Sequence, residues 1–220
     1  MRFNPSLTEL TTAATDALLG VVCLVLLFRL VQRPEGPGWK RGLWGTVFLC
    51  LAAASFLGAI AHGGEWSGAV RARLWQPLYL SLGLTVALFL VGAVGDWRGR
   101  PAARRALPWM IAVAVGFFAV TQWGSGSFLL FVAYEAVVML ATLAIYLALR
   151  AGGRPGAGTV AAGIALSIAA AGVQASPLHV TVVVPFDHNG LFHLVQIAGV
   201  VVTARGVRQG LLADDGVRQR

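Results

Sequence analysis

Residues 17–30, ALLGVVCLVLLFRL, contain thirteen uncharged residues and a single arginine near the far end. They do not alternate between apolar and polar positions, as a membrane barrel strand would over about ten residues. Runs of similar character recur along the chain, each close to the roughly 20 residues needed to cross about 30 Å of hydrocarbon. Within lipid every backbone amide has to be satisfied inside its own segment, and a helix does this. The expectation is an all-α, polytopic membrane protein.

Composition agrees. Of 220 residues, 57% are hydrophobic and 12% charged, whereas a soluble domain is usually about a quarter charged. Seven spans are predicted, at about 9 to 31, 43 to 62, 75 to 95, 107 to 123, 127 to 149, 158 to 175 and 190 to 209. Breaker-rich connectors separate them: RPEGPG, HGGEWSG, RGRP and RAGGRPG. Residues 1–220 are therefore read as one domain. The N-terminus carries Glu9 and Asp16 ahead of the apolar run and has no clear small-x-small cleavage pattern, so the first span is expected to be retained.

The formal charge of +8 does not imply nucleic acid as a partner. The basic residues fall in short connectors, where topology and anionic headgroups account for them. Arg29, Arg33, Lys40 and Arg41 follow the first span, and Arg98, Arg100, Arg104 and Arg105 follow the third. Arg150 and Arg154 follow the fifth, and Arg205, Arg208, Arg218 and Arg220 lie in or near the tail. The opposite side holds only Arg2, Arg71 and Arg73. The positive-inside rule then predicts the N-terminus outside and the C-terminus in the cytoplasm of a multi-pass protein. Cys23 and Cys50 both fall within spans, which argues against a structural disulfide.

With that orientation, the polar side chains inside the spans segregate. Glu9, Thr12 and Asp16 share one face of the first helix. His62 ends the second helix, with Ser55 two turns below; Gln76 and Tyr79 open the third. Thr121 and Gln122 close the fourth, Tyr134 and Glu135 lie two turns into the fifth, and Gln174 ends the sixth. Asn189, His193 and Gln196 form a stripe on the seventh. All seven helices are expected to contribute at one half, while the cytoplasmic halves look almost free of ionisable groups. Exposed to lipid, Asp16, Glu135, His62 and His193 would together cost on the order of 10 kcal/mol. An outward-opening polar cavity is therefore expected.

The segment 176–189, within SPLHVTVVVPFDHNG, has no Lys or Arg and reads as an extended loop over the mouth of the bundle, a possible lid. Trp66, Trp75 and Trp123 read as an aromatic belt. Gly163, Ser167 and Ala171, four apart, predict a close helix crossing.

Two imidazoles with a third donor suit zinc. The candidate ligands are His62, His193 and His188, with Glu135 or Asp16 as substitutes for the third. Asn189, Gln196, Gln76, Tyr134 and Gln122 would orient them. Asp16, Glu135 and Ser55 are the candidate catalytic groups for metal-assisted attack on a lipid amide or ester. Non-catalytic ligand binding, haem held between His62 and His193, and proton-coupled transport are the alternatives. Retinal is disfavoured, because a Schiff base needs a lysine in the last helix and the only lysine, Lys40, falls in a connector.

Seven spans with N out and C in, His62 ending the second and a His-containing motif opening the last resemble the alkaline ceramidase and progestin/adipoQ receptor superfamily. The chain would be a divergent, bacterial-type member of it. Such a resemblance implies a zinc site of three histidines, one on the second helix and an HxxxH pair on the seventh, with hydrolysis of lipid amides. His62 matches the second-helix ligand and His193 the later member of the pair. Asn189 stands where the earlier histidine is expected, with His188 beside it. Gly58 stands where the family has serine, Ser55 lying a turn further back, and the early third helix offers Gln76 in place of an aspartate.

Overall fold

The computed structural model describes residues 2–32, 35–123 and 128–218, with the side chains of 123, 128, 129, 217 and 218 set aside. Arg33 and Arg220 thus lie outside the described residues, as do the side chains of Trp123 and Arg218. The chain is all-α, with α1 (Leu7–Gln32), α2 (Gly38–Gly63), α3 (Gly68–Arg98), α4 (Arg100–Trp123), α5 (Phe128–Ala151), α6 (Ala157–Gln174) and α7 (His188–Arg218). All seven are long and apolar enough to cross a membrane. Several outrun their predicted spans: α3 begins at Gly68, α4 at Arg100, and α7 continues to Arg218. Hydropathy detects only the apolar part of a helix, and hydrogen bonding carries these helices on into polar sequence.

Gly99, at φ 80°, separates α3 from α4 in a left-handed conformation that costs glycine least. Six helices close a ring in the order α1, α2, α3, α5, α6, α7, and α7 returns to α1. The remaining helix, α4, packs chiefly on α3 from outside the ring. Ring contacts continue this layer, with Phe117 of α4 stacked on Tyr134 of α5 at 5.0 Å. The expectation that every helix feeds one site therefore fails for α4.

The predicted close crossing lies between α6 and α7. A Cβ at Gly163 would strike the Thr203 hydroxyl, and one at Gly199 would come within 2.9 Å of the Ser167 hydroxyl. Gly206 fits as tightly, 2.6 Å from the Val160 amide nitrogen. Outward faces are apolar: on α1, Leu18, Val21, Leu24, Val25, Phe28 and Val31 are all exposed. Cys23 and Cys50 are free thiols.

The two ends of the bundle differ. At the N-terminal end the chain start pairs with the α2–α3 connector: the Asn4 amide donates to the Gly63 carbonyl, and the Asn4 side chain to the His62 carbonyl. Between α6 and α7, β1 (Val180–Thr181) and β2 (Pro185–Phe186) form a short antiparallel hairpin. It is tied to α1, since the Thr11 hydroxyl donates to the Pro185 carbonyl at 2.7 Å.

The C-terminal end carries a partly buried ion network that the sequence reading missed. Lys40, in the first turn of α2 rather than in a loop, reaches Asp96 of α3 at 2.6 Å and Asp214 of α7 at 2.7 Å. Arg154 lies 3.0 Å from Asp214, and the Tyr146 hydroxyl donates to Asp96 at 2.7 Å. That end is therefore not free of ionisable groups. Its charges are drawn together from connectors and helix ends that are far apart in sequence.

Candidate functional site

On α1 the spacing of Thr12, Thr15 and Asp16 puts all three on one buried face. His193, one turn into α7, meets that face. Its Nε2 lies 3.1 Å from Asp16 Oδ1, and its Nδ1 lies 3.1 Å from the Thr15 hydroxyl. The Thr15 hydroxyl already donates to the carbonyls of Thr11 and Thr12. The hydroxyl thus joins these two carbonyls to His193 Nδ1. A proton held on Nε2 or on Asp16 bridges the two groups. Sharing it removes most of the cost of placing two ionisable groups in an apolar bundle.

Gly58 makes room for this pair. A Cβ there would collide with the Asp16 carboxylate. The position where the resemblance implies a serine is thus occupied in space by a carboxylate from another helix. Ser55 lies a turn below on α2 and is buried.

Nearer the N-terminal end, His62 Nδ1 lies 2.7 Å from Glu9 Oε2, and Trp75 presents an edge contact to the His62 ring at 6.0 Å. Glu9 sits on the predicted polar face of α1, yet its partnership with His62 was not foreseen. Trp75 borders the cavity. Asn189 accepts from Gln174 at 3.3 Å. His188 Nδ1 is buried without a hydrogen-bond partner.

Before α7, Asp187 accepts from the Gly190 amide and the Thr12 hydroxyl, both at 2.9 Å. This caps the helix and ties it to α1. Burial raises the Asp187 carboxyl. These two bonds, the neighbouring His188 charge and Asn189 outweigh burial and leave the carboxyl below its ordinary range.

These groups surround a cavity of about 380 Å³. Asp16, Ser55, His62, Glu135, His188, Asn189, His193 and Gln196 all line it, so eight of the predicted residues are brought together. Three are not. Gln76 and Gln122 are exposed. The Tyr134 hydroxyl donates to the Gly83 carbonyl at 3.2 Å, in the aromatic layer against α4. The reason is helical geometry: Trp75, Leu78, Leu82, Thr85, Val86 and Phe89 are the α3 residues that face the cavity, and Gln76 points about 100° away from Trp75. Among the described residues none of α4 lines the cavity. Within 176–189, His188 and Asn189 border it, and the hairpin is tied to α1 through Pro185.

Along α2 the lining runs from Val47 to His62, about 22 Å at about 1.5 Å per residue. The lining from Trp75 to Phe89 on α3 and from His188 to Thr203 on α7 has nearly the same length. The upper part is polar. The floor is mostly apolar, bordered by Val47, Phe48, Val86, Phe89, Met139 and Val200. Among the described residues, the Glu135 carboxyl, the Ser55 hydroxyl and the Gln196 amide have no hydrogen-bond partner.

The implied metal does not fit these donors. Among the described residues no group of three or more His, Cys, Asp and Glu side chains is placed to hold a metal ion. His193 has both nitrogens engaged, with Asp16 and Thr15, and His62 has one nitrogen on Glu9. The zinc ligand set His62, His193 and His188 is therefore not assembled.

Residues 11–212 match a family of unknown function, DUF6962. The chain belongs to that family. The match covers α2 to α6 entirely and all but the ends of α1 and α7, so every cavity-lining residue lies within the family's extent. No curated protein matches the chain.

Proposed function

We propose that this member of the family is a multi-pass membrane protein, N-terminus outside and C-terminus cytoplasmic, whose outward-opening chamber binds a single-chain amphipathic molecule from the outer leaflet. The observation that carries this reading is the graded lining of the cavity. Polar groups of α1, α2, α5 and α7 surround its upper part, while apolar side chains bound the floor. Its volume falls within the usual range for small-molecule pockets. The basic residues Arg29, Lys40, Arg41, Arg98, Arg100, Arg150 and Arg154 gather at the C-terminal end, which supports the orientation.

The test is thermal stability of the purified protein in phosphatidylcholine nanodiscs with homologous amphiphiles of increasing chain length. Stabilisation should grow with chain length until the floor is filled. A Met139→Trp variant, which fills the floor, should retain its helical circular dichroism and lose the chain-length dependence. Equal responses of the two proteins would overturn the reading.

A second reading, hydrolysis of a lipid amide or ester, draws on Ser55 and Glu135, which front the same chamber without partners. The chain's own groups would have to activate the nucleophile, with Glu135 taking its proton. Turnover of a long-chain amide or ester that is lost in both Ser55→Ala and Glu135→Gln would establish it, and binding without turnover would exclude it.

A further inference from the structure

The charge balance of the chamber narrows the ligand class. Asp16 is matched by His193, and Glu9 by His62. His188 sits at the mouth, in the first turn of α7. Among the described residues no lysine or arginine lines the cavity. Glu135 lies two turns into α5, lines the cavity, and has no ion-pair or hydrogen-bond partner among the described residues. A carboxyl enclosed in an apolar bundle calls for a donor, and the surrounding helices do not supply one.

Aromatic rings line the same chamber. Phe131 precedes Glu135 by one turn on the same face of α5, and Trp75 and Phe192 line the same chamber from α3 and α7. Carboxylate and aromatic faces together are what a protonated amine selects, through a charge-assisted hydrogen bond and attraction to the ring faces. Beside a carboxylate, a fatty acid would bring a second negative charge, and an alcohol would offer only a neutral hydrogen bond. Below Glu135 the apolar floor receives a hydrocarbon chain.

We propose that the chamber selects a single-chain amphiphile bearing a protonated amine, with Glu135 as the group that binds the ammonium. This rests on the amphiphile-binding reading and names the ligand's polar end.

The experiment uses the full chain in phosphatidylcholine nanodiscs and three ligands of equal chain length: dodecylammonium, dodecanol and dodecanoate. Binding is measured against empty nanodiscs to subtract partitioning into lipid. Dodecylammonium should bind about tenfold or more tighter than dodecanol, the size expected for a hydrogen bond to a charged group. Dodecanoate should bind weakest. Glu135→Gln should bring the ratio of ammonium to alcohol affinity down to about one, and Glu135→Asp should retain part of the preference.

Equal affinity for ammonium and alcohol, or an ammonium preference that survives Glu135→Gln, overturns the amine assignment and leaves amphiphile binding intact. Failure of all three ligands to bind above empty nanodiscs overturns both.

Discussion

Asp16 on α1 and His193 on α7 are 177 positions apart in sequence, and their side chains meet at 3.1 Å in the wall of the chamber. Both residues are buried, with 6% and 7% of their surface exposed. Paired, neither stands as an isolated charge in the bundle. Removing the imidazole alone, in His193→Ala, should destabilise the bundle by about 3–5 kcal/mol. The neutral pair Asp16→Asn with His193→Gln should recover much of that loss. Thermal unfolding of the single and double variants in one detergent checks the sign of the coupling.

Gly58 is required by the same pair. Its missing side chain leaves the space that the Asp16 carboxylate fills. Gly58→Ala should destabilise by about 1–3 kcal/mol, as other overpacked sites do. In the Asp16→Ala background the cost should largely vanish, because the obstructing carboxylate is gone. A penalty that persists unchanged in the double variant would mean that Asp16 is not the obstruction.

At the opposite end, Lys40 holds Asp96 and Asp214 together from two helices. Lys40→Ala leaves two partly buried carboxylates with Arg154 as their remaining cation, and should cost about 3–5 kcal/mol. Lys40→Met combined with Asp96→Asn should cost less than the sum of the single changes. Unfolding midpoints of the three proteins decide this.

The α6–α7 crossing depends on backbone approach. Gly206→Val would drive a side chain into the Val160 amide and should strongly reduce the yield of folded protein. Gly216→Val, where a Cβ meets nothing within 4 Å, should be tolerated. Size-exclusion profiles of the two variants, purified side by side, are the measurement.

Asp187 makes one contribution that depends on pH. Its carboxyl is held below the ordinary range by the Gly190 amide and the Thr12 hydroxyl, against the effect of burial. A depressed folded-state value stabilises above the unfolded-state value, and this stabilisation is lost as the pH falls through the folded one. Asp187→Asn should therefore be less stable than the parent by about 1 kcal/mol at neutral pH, the usual worth of a helix cap. The gap should close as the pH falls below the usual carboxylate range. A gap that is constant with pH would remove the carboxylate from the latch.

The parts of the fold legible in the sequence are those set by local chemistry. Apolar runs mark the seven helices, because hydropathy and helix length are properties of contiguous residues. The polar faces of α1, α2 and α7 are also readable, since spacings of three and four repeat the helical turn. Gln76, Tyr134 and Gln122 were drawn into the site on a different assumption, that each helix turns its polar residues toward one interior. That assumption fails where a helix lies outside the ring or turns a polar residue outward, as α4 does with Gln122 and α3 with Gln76.

What the sequence alone determined is a chain of seven apolar helices whose ionisable groups at one end need shelter, because hydrocarbon penalises each of them wherever it sits. What only the tertiary structure decided is which group shelters which. Asp16 finds His193, His62 finds Glu9, Lys40 finds Asp96 and Asp214, and Glu135 is left facing the cavity. Such partnerships depend on the order of helices around the ring and on glycines that let backbones close in. Neither is a local property, so neither leaves a pattern in the spacing of residues along one helix.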